Sequence, residues 1–74
     1  MTEPALRLDC LGQKCPLPVV HLARRITEIE PGQVIEVLAD DPAAAADIAA
    51  WCRMRGQDLV ASNPPRYQVR RQRV

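Results

Sequence analysis

Two prolines, Pro16 and Pro42, each stand directly before a stretch of helical periodicity, and this restricts the possible folds of the 74-residue chain more than any other feature. Proline is favoured at the first position of a helix, where its missing N–H has no partner to lose. The sequence therefore predicts one helix from Pro16 and a second, N-capped by Asp41, that runs to about Arg55 and stops at Gly56. Each helix has one apolar stripe. The stripes consist of Val19, Leu22, Ala23, Ile26 and Ile29, and of Ala45, Ile48, Ala49 and Cys52.

Four other segments have strand character. In the most apolar of them, Ile35 and Val37 are expected to face the helices. Two narrow helical stripes can cover only one face of a four-stranded sheet. The predicted fold class is therefore α/β (α+β), a two-layer sandwich with the order βαβαββ and two helices on one face of a four-stranded mixed sheet. The strand segments are residues 6–8, 33–39, 59–61 and 67–71, and the last two are joined by a turn at Asn63-Pro64-Pro65.

Composition sets the class of protein. A hydrophobic content of 47% with one Trp, one Tyr and no Phe predicts a globular domain with an aliphatic core, and residues 1–74 are expected to form a single domain. The chain has no apolar run long enough for a membrane span and no signal-peptide pattern, so a cytoplasmic location is expected. An odd number of cysteines, three, argues against a disulfide framework.

Cys15 is the candidate reactive residue, because it stands directly before Pro16 at the predicted N-cap of the first helix. The positive end of a helix can lower the pKa of a thiol, and Lys14 adds a nearby positive charge. Pro16 and Pro18 have no N–H to donate, so we expect a decrease in pKa of only about one unit. The sequence predicts an exposed, nucleophilic thiol.

The other cysteines have two possible roles. Cys10 either ends the first strand as a small buried residue, which we favour, or forms a resolving disulfide with Cys15. Cys52 lies on the apolar stripe of the second helix, so it is expected to pack in the core and to resist alkylation. The cysteines and His21 lack the paired spacing of zinc modules, and no metal is expected.

Among the charged residues, Asp47 is expected to be a solvated carboxylate on the polar side of the second helix, with a partner contact as the alternative. His21 is expected to be solvated and too far along its helix to act as a base for Cys15. The net charge is +1, and the carboxyl end is basic. It lacks the aromatic strand of RNA-reading domains, so direct nucleic-acid binding is not favoured. A protein-docking surface is expected near Lys14, Arg24 and Arg25, whereas the basic end consists of Arg66, Arg70, Arg71 and Arg73.

Several short motifs occur in an order and spacing that resemble the TusA/SirA-like family of sulfur carrier proteins, over nearly the whole chain. Two positions depart from the family pattern: Gln13 replaces the usual leucine, and Ala49 replaces the proline that often follows Asp-Ile. Both departures concern packing or partner choice. The motifs are Leu8-Asp9, Gly12, Cys15-Pro16-Leu17-Pro18, Pro31-Gly32, Asp40-Asp41-Pro42, Asp47-Ile48, and Trp51-Cys52 ahead of Gly56.

The resemblance implies a βαβαββ sandwich like the C-terminal domain of a translation initiation factor, with sulfane sulfur carried as a persulfide on Cys15. It also implies a cysteine desulfurase or rhodanese-like donor and a DsrE-like acceptor, serving tRNA thiolation, sulfur oxidation or cofactor synthesis. Such a protein needs no cofactor and is a carrier more than a self-sufficient enzyme. Two alternatives remain open: a thiol redox module that uses Cys10 and Cys15, and an RNA-binding regulatory module that uses the basic carboxyl end.

Overall fold

The computed structural model describes residues 3–73 and confirms the predicted order βαβαββ. A short 3₁₀ turn at Ile26–Glu28 follows the first helix. The remaining elements are β1 (Leu6–Asp9), α1 (Leu17–Arg25), β2 (Val34–Leu38), α2 (Ala44–Arg55), β3 (Asp58–Asn63) and β4 (Arg66–Arg70).

The four strands form one mixed sheet, as predicted, and their spatial order is β1-β2-β4-β3. β1 pairs with β2 in parallel, with Leu8 opposite Val37, and the other two pairings are antiparallel. Parallel neighbours need a crossover connection, which α1 supplies. Because β1 and β2 run in the same direction, the helices that follow them both begin at the edge of the sheet where these strands end.

The core lies between the helices and one face of the sheet. Ile35 and Val37 are completely buried, which confirms that this side of β2 faces the helices. Leu22 of α1 and Ile48 of α2 are equally inaccessible and pack into the same cluster. These aliphatic side chains join the two layers.

The first helix differs from its prediction at both ends. It begins at Leu17 rather than Pro16, and Pro16 is the N-cap residue without a side-chain capping bond. The helix ends at Arg25, and the 3₁₀ turn then brings Ile26 into the core. Ala23, which was expected on the apolar stripe, is exposed. Ala23 lies about 100° around α1 from the completely buried Leu22, so the buried face of the helix is narrower than the predicted stripe.

The second helix begins at Ala44, two residues after Pro42. The prediction that Asp41 is the N-cap residue is therefore wrong: the N-cap is Ala43, which has no side-chain capping bond. Asp41 Oδ1 instead accepts a hydrogen bond from the Ala43 N–H at 2.8 Å, in the turn that precedes the helix. The buried face of α2 is rotated by about one residue position from the predicted stripe. Bulky Trp51 packs inward, and Ala45 is only half-buried. The buried residues of α2 are Ala44, Ile48, Trp51 and Cys52.

Gly56 ends α2 as predicted, in the left-handed region with φ of +69°. A side chain in this conformation is strained, so we expect Gly56→Ala to lower the free energy of unfolding by about 1 kcal/mol. Urea denaturation measures the difference. Gly56→Asn is the matched control and should lose less, because asparagine tolerates this region. A Gly56→Ala protein as stable as the wild type would contradict the expectation.

The other sheet face is open and carries charge, including one carboxylate that the sequence did not predict to be buried. Glu36 of β2 is only 6% exposed. It forms ion pairs with Arg7 at 3.2 Å and with Arg66 at 3.5 Å, and Gln68 Nε2 donates to it at 3.4 Å. The buried charge is therefore paired and hydrogen-bonded, as the low dielectric requires.

Candidate functional site

Cys15 is exposed and lies on the connection between β1 and α1. Hydrogen bonds shape this connection on both sides of the thiol. Leu17 N–H donates to the Lys14 carbonyl at 2.9 Å, and Gly12 N–H donates to Asp40 Oδ1 at 2.9 Å. Gly12 adopts a φ of +78°, which favours glycine at this turn. The Gly12 bond joins the Cys15 loop to the connection between β2 and α2.

The position of Cys15 relative to α1 corrects the sequence analysis. Cys15 is not the N-cap residue; it precedes the N-cap, Pro16, by one position. Pro16 and Pro18 have no N–H groups to donate towards the sulfur. The helix therefore offers little hydrogen bonding to a thiolate at Cys15, and the stabilisation expected from its positive end is weak.

The expected decrease in the pKa of Cys15 is wrong in direction. A hydrogen bond with the Asp47 side chain is the largest cause that raises the pKa of this thiol, followed by desolvation and by the negative charges of Asp47 and Asp41. A carboxylate that accepts a hydrogen bond from S–H stabilises the neutral form, and nearby negative charge disfavours the thiolate. Lys14 is exposed and does not offset these effects. At neutral pH, Cys15 is therefore mainly a protonated thiol.

Asp47 is the site residue whose role the sequence analysis missed. It was expected to be solvated, but it is half-buried, and its Oδ2 is buried without a hydrogen bond from the N–H or O–H groups of residues 3–73. Asp47 lies in the first turn of α2. Because both helices begin at the same edge of the sheet, this turn faces the residues that precede α1. The parallel β1–α1–β2 unit was the available signal, together with the Asp-Ile motif of the family resemblance.

The other two cysteines are free but inaccessible. Cys10 is 2% exposed, and burial, with the charge of Asp9 as a smaller cause, raises its pKa. Cys52 is 3% exposed, and burial raises its pKa to about 11. The structure thus places Cys52 in the core, as predicted. It also buries Cys10, in agreement with the favoured interpretation of Cys10 as a small buried residue at the end of the first strand. A Cys10–Cys15 redox pair would need the buried partner to become accessible.

The other candidate site residues do not form a cluster with Cys15. His21 is half-buried, not fully solvated, and lines a small cleft with Cys10, Gln13 and Arg25. Within residues 3–73, no three His, Cys, Asp or Glu side chains are grouped so that they could hold a metal ion. Neither helix in the same range is long and apolar enough to cross a membrane.

Three arginines of the basic carboxyl end form ion pairs or hydrogen bonds within the molecule. Arg66 pairs with Glu36, and Arg70 approaches Asp58 at 3.7 Å. Arg71 donates hydrogen bonds to the carbonyl oxygens of Thr27 and Ile29. These internal partners reduce the positive charge available to nucleic acid, so the structure gives no specific support to the RNA-binding alternative.

The fold and the site define a small α+β domain that presents one exposed thiol, Cys15, on a strand-to-helix connection beside a carboxylate. A family model described as sulfurtransferase TusA matches residues 6–72, so the chain belongs to the TusA family. The structure is also similar to that of a SirA-like protein from Desulfitobacterium hafniense. The TM-score is 0.65 and the sequence identity 25%, over 86% of this chain and 90% of that chain. These findings confirm the predicted family, which indicates a sulfur-carrier function.

Proposed function

We propose that this protein carries sulfane sulfur as a persulfide on Cys15. The observation that carries the proposal is the difference in access among the three cysteines, since Cys15 is exposed whereas Cys10 and Cys52 are buried. A carrier must meet the thiols of two partner proteins in turn, which requires a sulfur atom at the surface. Membership of the TusA family supports the same chemistry.

Loading is a displacement at sulfur. The thiolate form of Cys15 attacks the outer sulfur of a donor persulfide, a new Sγ–S bond forms, and the S–S bond of the donor breaks. The donor cysteine leaves as a thiolate, so one S–S bond replaces another without net oxidation. In the second half of the cycle, an acceptor thiolate removes the outer sulfur from Cys15 by the same type of displacement.

The partners follow from this chemistry and from the family. We infer a cysteine desulfurase or a rhodanese-like protein as the donor and a DsrE-like relay protein as the acceptor. The sulfur would serve tRNA thiolation, sulfur oxidation or cofactor synthesis. Three free cysteines fit a reducing compartment such as the cytoplasm. In this proposal the protein needs no cofactor, because partner proteins supply and remove the sulfur.

Intact mass spectrometry tests the proposal. Reduced protein is exposed to a cysteine desulfurase with cysteine, or to polysulfide. We expect the wild type to gain one sulfur atom that dithiothreitol removes, and Cys15→Ser to gain none. Cys10→Ser is the matched control and should load like the wild type. An equal gain in Cys15→Ser would contradict the proposal, and loss of loading in Cys10→Ser would favour the redox alternative.

A further inference from the structure

The open face of the sheet contains a cleft of about 640 Å³, a volume in the range of small-molecule sites. Because side chains alternate along a strand, the neighbours of the buried Tyr67 and Val69 point into this face. Five charged side chains line the cleft, three of them positive and two negative. They are Arg7 of β1, Glu36 of β2, Arg66 and Arg70 of β4, and Glu3, which precedes β1.

Glu36 holds two of these arginines in place. Its two carboxylate oxygens lie 3.2 Å from Arg7 Nε and 3.5 Å from Arg66 Nε, so one side chain of β2 pairs with both neighbouring strands. The Glu36 side chain is only 8% exposed, whereas those of Arg7 and Arg66 are 70% and 65% exposed. The carboxylate is therefore shielded from solvent, while the two guanidinium groups remain accessible from the cleft.

The arginines retain the capacity to bind an anion. A guanidinium group has five N–H donors in a planar fork that matches the oxygen atoms of an oxyanion. Both ion pairs with Glu36 are formed through Nε, which leaves the terminal nitrogens to donate to a ligand. Arg70 adds a third positive charge, since its ion pair with Asp58 is long, at 3.7 Å, and half-exposed. Three arginines against two carboxylates give the cleft one net positive charge.

The rest of the lining indicates what kind of anion fits. Two guanidinium groups side by side favour a phosphate monoester, which carries nearly two negative charges at neutral pH, over a singly charged carboxylate. Apolar side chains lie beside the charged ones, and a bare ion would leave them in contact with water. A phosphate with an apolar or ring-shaped body would cover both parts. The apolar lining consists of Pro4, Val34 and Val60.

We propose that the open sheet face binds a small organic phosphate monoester, whose phosphate group accepts hydrogen bonds from Arg7 and Arg66 while Glu36 positions both side chains. The site goes beyond the proposed carrier function and uses none of the residues assigned to it. A nucleic acid binds through many phosphates in a row, whereas this cleft offers donors for one. The ligand is therefore a small molecule.

An NMR titration of isotope-labelled protein with phenyl phosphate tests this inference. We expect saturable shifts of backbone amides in β1, β2 and β4 around the cleft. Arg7→Gln and Arg66→Gln should each raise the dissociation constant about tenfold, which corresponds to the loss of one charge-assisted hydrogen bond. Arg53→Gln is the matched control, since it removes the same charge from an exposed arginine at the end of α2, and it should leave the dissociation constant unchanged.

A further variant keeps the test independent of folding. Arg7→Gln and Arg66→Gln each take one partner from the buried Glu36, so the melting temperature of both variants is measured as well. If neither variant folds, Arg70→Gln replaces them, because it leaves the ion pairs of Glu36 intact. This variant should raise the dissociation constant about threefold, since Arg70 acts mainly through its charge.

The outcomes separate the phosphate site from its alternatives. Inorganic phosphate should bind more weakly than phenyl phosphate, and phenol should not bind. Equal dissociation constants for the folded cleft variants and Arg53→Gln would overturn the proposal, as would a wild type without saturable shifts. Tighter binding of a short single-stranded RNA through the same arginines would overturn the small-molecule assignment. Cys15→Ser should bind phenyl phosphate like the wild type, so failure of this site leaves the carrier function standing.

Discussion

Alkylation of Cys15 by iodoacetamide is expected to accelerate about tenfold per pH unit from about pH 7 to about pH 8.5, without reaching a plateau. The thiolate is the reacting form, and an unperturbed cysteine has a pKa of about 8.5. The hydrogen bond with Asp47 and the neighbouring negative charges raise the pKa of Cys15 above its ordinary value. The thiolate fraction, and with it the rate, therefore still rises steeply at the top of this range.

The measurement is a series of second-order rate constants from intact mass over this pH range. Cys15→Ser reports the background from Cys10 and Cys52, which should be small because both thiols are buried. A plateau near about pH 7.5 would mean that the pKa is depressed, as a thiol activated by a helix N-terminus would show. That outcome would contradict the arrangement of Asp47 and Cys15 described above.

Leu22→Ala is expected to lower the free energy of unfolding by about 3–4 kcal/mol, because Leu22 is completely buried between α1 and the sheet. The loss combines the transfer of the removed atoms and the cavity that they leave. A domain of this size has a free energy of unfolding of about 5–15 kcal/mol or less. The variant should therefore be close to unfolding under mild conditions. Urea denaturation gives the difference.

Leu17→Ala is the matched control, since it makes the same substitution in the same helix at a side chain that is 45% exposed. We expect it to change stability by less than about 0.5 kcal/mol. Similar decreases in the free energy of unfolding for the two variants would show that Leu22 is not completely buried. A large loss for Leu17→Ala alone would reverse the assignment of the buried face of α1.

Most of the fold could be predicted because local patterns and tertiary packing agree. Ile35 and Val37 lie two residues apart in a β-branched segment, so their side chains are on the same side of the strand, and only one side of such a strand can face two helices. Gly56 follows the last apolar turn of α2, where a left-handed residue is needed. Ala23 was misplaced because a small apolar side chain is compatible with either the buried or the exposed face of a helix.

The site was predictable in part. The exposure of Cys15 followed from its place beside prolines at the start of a helix, but the direction of its pKa did not. That direction depends on Asp47, which is remote in sequence and reaches the thiol only because β1 and β2 are parallel. Glu36 was missed for a related reason: a single glutamate in a strand becomes a buried ion only when Arg7 and Arg66 are brought to neighbouring strands.

The charged cluster around Glu36 also limits how this small domain can associate with other proteins. Any partner that covered the open sheet face would have to remove water from Arg7, Arg66 and the carboxylate that they share, and such desolvation is expensive. No comparable cluster of ion pairs lies across the approach to Cys15 in the described part of the chain. Docking at the end of the domain that holds Cys15 would therefore have a smaller desolvation cost than docking on the open sheet face.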